Sequence, residues 1–277
     1  MAGGDPINYK TQEQIKSYLR KFIEKLLSET KGDDKKVSHD STANKATLKP
    51  FHAAVLPAPL RGISELERKF STRLGSTFEQ CALFIARQYH RDARRNHKIS
   101  AQVSKEAIDA IDAQVRNFER MATKGQRLAF ADMVNSVLAA GASSATQFLE
   151  ATADIYILTH NGNELFFEIK SPQPNKGQCL EVTQRLLRIH LIKGKPRPEV
   201  QAYFALPYNP YGHSREDYQW NYAKNYAPFE DAVLIGAEFW NLIGGEGTYE
   251  ALLAIYEEVG REFEQKILQT FGIRSSS

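Results

Sequence analysis

Residues 153–171 read ADIYILTHNGNELFFEIKS and predict a β-hairpin. Two runs rich in β-branched and aromatic residues flank Asn161-Gly162, a dipeptide that strongly favours a tight turn between antiparallel strands. In a strand, residues i and i+2 project from the same face, so Glu168 and Lys170 are expected side by side. A buried charge is costly unless it is paired or bound to a metal. The hairpin therefore carries either a structural ion pair or a functional site.

The Glu-x-Lys triplet is informative only because of the strand that holds it. The chain contains four such triplets, and they begin at Glu29, Glu67, Glu168 and Glu264. The other three lie in segments predicted to be helical or at a helix end, where residues i and i+2 point away from each other. The triplet at Glu168 is the one predicted to lie in a strand.

Asp154 is predicted to lie across the hairpin from Glu168, because the turn brings the start of one arm beside the end of the other. Two carboxylates this close repel each other unless a cation lies between them. Mg²⁺ binds one or two carboxylates together with waters and substrate phosphate. The backbone carbonyl of Ile169 is a further candidate ligand. Lys170 is then placed to activate an attacking water or to stabilise a pentavalent phosphate.

The remainder of the chain predicts an α/β (α+β) fold, a mixed β-sheet flanked by helices, with a helical N-terminal half. Apolar spacing of the helical type precedes the hairpin, and further strands and helices follow it. Residues 1–60 are interpreted as a helical arm with a polar linker at 31–47, and residues 61–277 as the catalytic domain. The predicted helices cover 12–28, 64–85, 104–118, 126–140, 177–194 and 248–271, and two further strands are predicted at 200–208 and 231–236.

Composition limits the possible partners and compartments. The formal net charge of +3 over 277 residues is small, so binding to a polyanion must come from local clusters. Two isolated cysteines and an N-terminus without an apolar core predict a cytoplasmic protein rather than a secreted one. No apolar run reaches the length of a membrane span. The glycine-rich IGGEG lacks the Lys-Ser/Thr of a phosphate-binding loop, so no nucleotide cofactor is expected.

Asp154, Glu168-Ile169-Lys170 and the hydrophobic hairpin resemble the PD-(D/E)xK nuclease superfamily. The string FFEIKSPQPNKGQ at 166–178 is similar to the TdeIII-like family of Type II restriction endonucleases, whose members cut short palindromes around GGNCC. The resemblance implies an Mg²⁺-dependent, site-specific DNA endonuclease with Asp154 and Glu168 as metal ligands and Lys170 as the catalytic lysine. Ala153 occupies the position of the proline in the superfamily's name.

Such enzymes often carry another acid on the helix before the hairpin, and Glu79 is the candidate in this chain. The alternative is a carboxylate at the edge of the core that pairs with Arg73 or Arg87. A palindrome has two-fold symmetry, so a homodimer is the expected assembly.

The segment after the hairpin supplies candidate DNA contacts. Between Lys176 and Arg197 there are six Lys or Arg residues against one acid, Glu181, which suits a segment lying along phosphates. Amide and ammonium groups in the loop can pair with base edges. A solvated helix face is the alternative. The candidates are Gln173, Asn175, Lys176, Gln178, Arg185, Arg188 and Lys193.

Two other segments admit two interpretations each. The basic run 87–98 could bind phosphate or be the charged end of a helix. The Tyr-rich segment 206–226 could stack on bases or pack against the core. Three further functions compete with restriction: a repair or structure-selective nuclease of the same fold, a DNA-binding protein that does not cut, and a helical interaction protein whose Glu168–Lys170 pair is structural.

Overall fold

The computed structural model describes residues 5–30, 49–61, 64–140 and 145–271, so the predicted linker at 31–47 lies outside the described residues. The strands are β1 (Asp92–Ser104), β2 (Thr146–Leu158), β3 (Glu164–Ile169), β4 (Val200–Leu206) and β5 (Val233–Ile235). The helices are α1 (Tyr9–Thr30), α2 (Pro50–Val55), α3 (Ser64–Tyr89), α4 (Lys105–Thr123), α5 (Phe130–Ala139), α6 (Lys176–Lys193), α7 (Asn221–Tyr226), α8 (Phe229–Ala232), α9 (Ala237–Gly244) and α10 (Thr248–Thr270). None of the helices in these ranges combines the length and the apolar character needed to cross a membrane.

The strands of the described ranges form one mixed sheet in the order β1-β2-β3-β4-β5. Pairing is antiparallel from β1 to β3 and parallel from β3 to β5. The predicted hairpin is confirmed as β2 and β3, and Gly162 in its turn has a φ of +87°, a conformation that glycine adopts without steric cost. The prediction of a mixed α/β fold is confirmed.

Helices cover both faces of the sheet. On one face, α1, α3, α9 and α10 share a hydrophobic core with Ile155, Ile157 and Phe167. On the other face, α4, α5 and α6 share a second core with Tyr156 and Phe166. Burial on both sides explains why β3 is nearly continuous in apolar residues, as strands covered by helices usually are. A charge on such a strand is then enclosed by packed side chains.

The N-terminal half is less helical than predicted, because β1 occupies most of the basic run, for which a charged helix end was one of the two interpretations. Helix α3 ends at Tyr89, and the strand begins at Asp92. The helix-end interpretation therefore fails for residues 92–98. β1 is an edge strand of the sheet, and charged side chains are common on edge strands because they discourage pairing with other chains.

The β1–β2 pair changes direction at Asn96 and Asp154. The cross-strand pairs Arg95↔Ile155 and His97↔Ala153 flank this position, where the regular pairing is interrupted. Asn96 has a φ of +48°. Ala153 packs in the second core and Ile155 in the first, although residues two apart in a regular strand share one face. The strand is therefore sharply twisted at Asp154. Asn is among the few residues that tolerate positive φ.

The N-terminal helix packs against the C-terminal one. Arg20 binds Glu262 through two hydrogen bonds of 2.7 and 2.8 Å, and Lys16 lies 2.7 Å from a Glu258 carboxylate oxygen. Apolar residues of α1, including Ile15 and Leu19, belong to the first core. The boundary at residue 60 between an arm and a catalytic domain stays a prediction.

Two glycines in helices predict opposite effects of substitution by alanine. A Cβ at Gly260 of α10 would lie 2.0 Å from the Ala54 carbonyl oxygen of α2, whereas a Cβ at Gly75 of α3 meets no atom within 4 Å. Gly260→Ala should lower the free energy of unfolding by about 1–3 kcal/mol because backbone must move. Gly75→Ala should raise it by up to about 1 kcal/mol because alanine favours helix. Urea denaturation measures both, and a Gly260→Ala variant as stable as the unmodified chain would contradict the packing.

Candidate active site

The predicted acidic residues meet where the parallel strands end. Glu168 is the penultimate residue of β3, and Lys170 follows the strand directly. The β2–β3 register pairs Ile155 with Phe167, so its continuation sets Asp154 opposite Glu168. β2 starts at Thr146, eight residues before Asp154, so Asp154 lies within the strand rather than at its start.

Glu168 is a buried carboxylate held by two cations. Its side chain is 1% exposed. Oε1 accepts hydrogen bonds from Lys170 Nζ at 2.5 Å and from Arg185 Nη1 of α6 at 2.5 Å. Oε2 is buried without a hydrogen-bond partner among the described residues. An oxygen in this state is costly unless a further donor or a metal satisfies it.

The Asp154 side chain takes the place of a backbone hydrogen-bond acceptor at the end of the β2–β3 ladder. Its Oδ2 accepts a hydrogen bond from the Ile169 N–H at 2.7 Å, beyond the last ladder pair at Ile155 and Phe167. The N–H and C=O of one strand residue point to the same side. The Ile169 carbonyl therefore points toward the β2 edge, close to the Asp154 carboxylate.

Burial is the main influence on the titration of Asp154. It raises the pKa to about 6, and the negative charge of Glu168 acts in the same direction. The hydrogen bond from the Ile169 N–H and the charge of Lys170 oppose this increase, while the Glu79 charge adds to it. A carboxyl in this environment gains from a nearby cation.

Glu79 lies on α3, near enough for its charge to raise the pKa of Asp154. Its carboxylate pairs with Arg95 of β1, which also bonds Gln80. The two predicted partners are engaged elsewhere, since Arg73 pairs with Glu29 and Arg87 donates to the Ala93 carbonyl. Arg95 was overlooked because β1 was not predicted. The alternation of Ile99, Ala101 and Val103 was the available signal for that strand.

The predicted base-contacting loop is largely engaged within the chain. Asn175 caps α6 by accepting from the Gln178 N–H at 2.8 Å, and Gln178 Oε1 accepts from the Asn175 N–H at 2.9 Å. Gln173 donates to the Tyr211 hydroxyl at 2.7 Å. Lys176 lies 2.6 Å from a Glu119 carboxylate oxygen and over the Tyr226 ring. These contacts hold the loop next to Lys170.

The other three predicted cations of α6, which also contains Lys176, have different surroundings. Arg185 holds Glu168, and its other terminal nitrogen donates to Glu181 at 2.7 Å. Lys193 donates to Glu164 at 2.7 Å. Arg188 is half-buried and forms no ion pair or side-chain hydrogen bond with the described residues. Arg188 is therefore the α6 cation whose charge is left for another partner.

The Tyr-rich segment packs against the core and supports the active-site loop. The Tyr218 hydroxyl donates to the Pro172 carbonyl at 2.7 Å, and Trp220 Nε1 donates to the Pro174 carbonyl at 2.6 Å. Tyr218 is fully buried. The packing interpretation is therefore confirmed for Tyr218.

The donor set fits Mg²⁺. Two carboxylates and the Ile169 carbonyl are hard oxygen ligands, and an ion that keeps several waters needs no more from the protein. The observation that supports this fit is the buried Oε2 of Glu168, which no described residue satisfies with a hydrogen bond. Across the described ranges, no group of three or more His, Cys, Asp or Glu side chains is arranged to hold a metal.

Asp154 predicts a pH-dependent stability in the metal-free protein. A raised folded-state pKa contributes stability that is present below pH 4 and lost as the pH rises through about 6. In EDTA, Asp154→Asn should therefore become more stable than the unmodified chain as the pH rises from 4 to 8. Thermal melts across that range measure the difference, and a difference that does not change with pH would contradict the assignment.

Arg185 and Arg188 of α6 allow a controlled comparison of two alanine variants. Arg185→Ala removes a charge-assisted hydrogen bond from a buried carboxylate and should lower the free energy of unfolding by about 1–3 kcal/mol. Arg188→Ala removes no such bond and should have a smaller effect. Urea denaturation measures the free energy of unfolding of both variants. Equal losses would show that the contact of Arg185 with Glu168 contributes little to stability.

Comparison with known proteins identifies the family of the chain. The model of the family "Type II restriction endonuclease, HinfI" matches residues 7–260. The Type II restriction enzymes HgiEI and HgiBI of Herpetosiphon aurantiacus are each 42% identical over 273 residues, 95% of this chain and 99% of theirs. The Type II restriction enzyme HgiCII of the same organism is 40% identical over 260 residues, 92% of this chain and 95% of its own. No solved structure matches the chain significantly. The predicted relationship to Type II restriction endonucleases is confirmed, and the chain belongs to the HinfI family of these enzymes.

Proposed function

We propose that this chain is an Mg²⁺-dependent Type II restriction endonuclease of the PD-(D/E)xK type. It hydrolyses phosphodiester bonds of duplex DNA at a short palindrome, GGNCC-like by resemblance, and serves host defence in the cytoplasm. One observation supports the site above all others. A buried carboxylate, one oxygen of which has no hydrogen-bond partner in the described part of the chain, lies beside a second carboxylate and an ammonium, where the strands end.

In this proposal Asp154, Glu168 and the Ile169 carbonyl hold the metal. When bound, Mg²⁺ would polarise the scissile phosphate and lower the pKa of an attacking water. The raised pKa of Asp154 supports the assignment, since a cation would relieve the burial and the repulsion that cause it. Glu79 is the further acid of the site. Its role is secondary to that of Asp154 and Glu168, because Arg95 already neutralises its charge.

Lys170 and Arg185 have separate roles although they share one oxygen of Glu168. The Lys170 side chain is a quarter exposed, so its ammonium can turn to the substrate and stabilise the charge that develops on the phosphate. Arg185 is fixed between Glu168 and Glu181. It can keep Glu168 neutralised while Lys170 is engaged with DNA.

The DNA-contacting set follows from the loop and α6. Arg188 contributes a cation that has no ion-pair partner among the described residues. Lys176 and Lys193 can exchange their exposed or half-buried carboxylate partners for DNA phosphates. Gln173, Asn175 and Gln178 shape the loop from which such contacts are made. A homodimer places one such site on each strand of a palindrome.

Plasmid DNA incubated with the protein in Mg²⁺ or in EDTA tests the function. We expect discrete fragments in Mg²⁺ whose ends, once sequenced, share one palindromic site, and no cleavage in EDTA. Random nicking in Mg²⁺ would indicate a nuclease of another kind, and binding without cleavage would indicate a non-catalytic DNA-binding protein.

Lys170→Ala and Asp154→Ala should each reduce cleavage by more than about a hundredfold without loss of folding. Lys266→Ala is the matched control, because Lys266 belongs to the Glu-x-Lys triplet on α10, in a helix. It should cleave like the unmodified chain. Cleavage at the unmodified rate by either active-site variant would refute the site.

A further inference from the structure

β1 and β2 continue beyond the rest of the sheet as a two-stranded ribbon. They pair from Asp92↔Leu158 to Ser104↔Thr146, whereas β3 pairs with β2 only up to Ile155. The ribbon is anchored at its far end, where Ser104 caps α4 by accepting from the Ala107 N–H at 3.2 Å. It is therefore a fixed projection of the sheet, with Asp154 at its base.

One side of the ribbon is buried and the other is open. Ala101, Val103 and Leu149 pack in or against the second core. The opposite side, termed the outward face, is exposed apart from the half-buried Thr152. The outward face consists of Lys98, Ser100, Gln102, Phe148, Glu150 and Thr152.

The outward face leads to the catalytic site. Asp154 is the next residue in the alternation after Thr152, and the cross-strand pairs Lys98↔Thr152, Ser100↔Glu150 and Gln102↔Phe148 follow in order. Phe148 lies six residues from Asp154, which is about 20 Å along a strand. That length corresponds to about six base pairs of duplex DNA.

We propose that the outward face of the β1–β2 ribbon enters the major groove of the DNA beside the scissile phosphate and reads base edges there. The inference rests on the proposed function. A two-stranded antiparallel ribbon is one of the elements that the major groove admits. The Gln102 amide and the Ser100 and Thr152 hydroxyls can donate to and accept from base edges, and Phe148 offers an apolar contact.

The charge of the outward face favours base contacts over phosphate contacts. Lys98 lies 3.6 Å from a Glu150 carboxylate oxygen, so the face has no net charge. Contacts to phosphate supply affinity and salt dependence, while contacts to base edges supply discrimination between sequences. A variant of this face should therefore change the choice of sequence more than the affinity for any DNA.

Phe148 is the feature that most needs a partner. The residue is 64% exposed although it lies on a strand among polar side chains. A second copy of the chain is the alternative occupant. The polar neighbours and the continuity with Asp154 favour DNA, because a stable contact between protein copies is apolar at its centre.

Two variants and two matched controls test the proposal. Phe148→Ala and Gln102→Ala alter the outward face, whereas Tyr9→Ala and Gln269→Ala remove an exposed aromatic side chain from α1 and an exposed amide side chain from α10. Cleavage of the cognate site and of sites with one changed base pair is measured for each, together with binding to unrelated DNA across salt concentrations. Melting temperatures and sedimentation establish folding and oligomeric state.

Each outward-face variant should lower kcat/KM on the cognate site about tenfold or more. It should also reduce the ratio of kcat/KM on the cognate site to kcat/KM on sites with one changed base pair. Affinity for unrelated DNA and its salt slope should stay unchanged, and the controls should match the unmodified chain. If the variants discriminate between sequences as the unmodified chain does, the ribbon proposal is overturned. It is also overturned if a variant loses the dimer when no DNA is present. Neither outcome contradicts the proposed restriction activity. If the unmodified chain cleaves no DNA, the proposed function fails and the ribbon proposal fails with it.

Discussion

The buried carboxylate of Glu168 is the constraint on which the site depends. A strand packed by helices on both faces cannot hold an unpaired charge, so Lys170 and Arg185 must both lie within hydrogen-bond distance of it. One oxygen takes both cations, and the other is left without a partner in the described chain. This asymmetry distinguishes Glu168 from a carboxylate in an ordinary ion pair. Both cations bind Oε1, so Oε2 can still bind a third cation such as a metal ion.

The requirement extends to the architecture around the strand. Helix α6 must cross the sheet near the end of β3 so that Arg185 reaches Glu168, and the capping box formed by Asn175 and Gln178 determines where that helix starts. The sharp twist at Asp154 ends regular pairing between β2 and β3, which frees the Ile169 N–H for the Asp154 carboxylate. The same twist turns the remaining length of β2 into the ribbon.

Local patterns predicted much of the fold and the centre of the site. The Asn161-Gly162 turn and the alternation around it were sufficient to place Asp154 near Glu168, and apolar spacing located α1, α6 and α10. Strand β1 was missed because its first residues are charged, as an edge strand allows. The contact of Arg185 with Glu168 could not be predicted, because it joins a helix and a strand only after the helix has packed across the sheet. The positive φ of Asn96 is likewise imposed by tertiary structure.

Metal-directed cleavage of the protein backbone tests the central claim most directly. Fe²⁺ with ascorbate and peroxide generates radicals that cut the chain close to a bound ion, and mass spectrometry locates the cuts without any DNA. The account predicts cuts near Asp154 and near Glu168–Lys170 that excess Mg²⁺ suppresses and that Asp154→Asn abolishes. Cuts confined to other segments, or an unchanged pattern in Asp154→Asn, would contradict a metal centre formed by these strands.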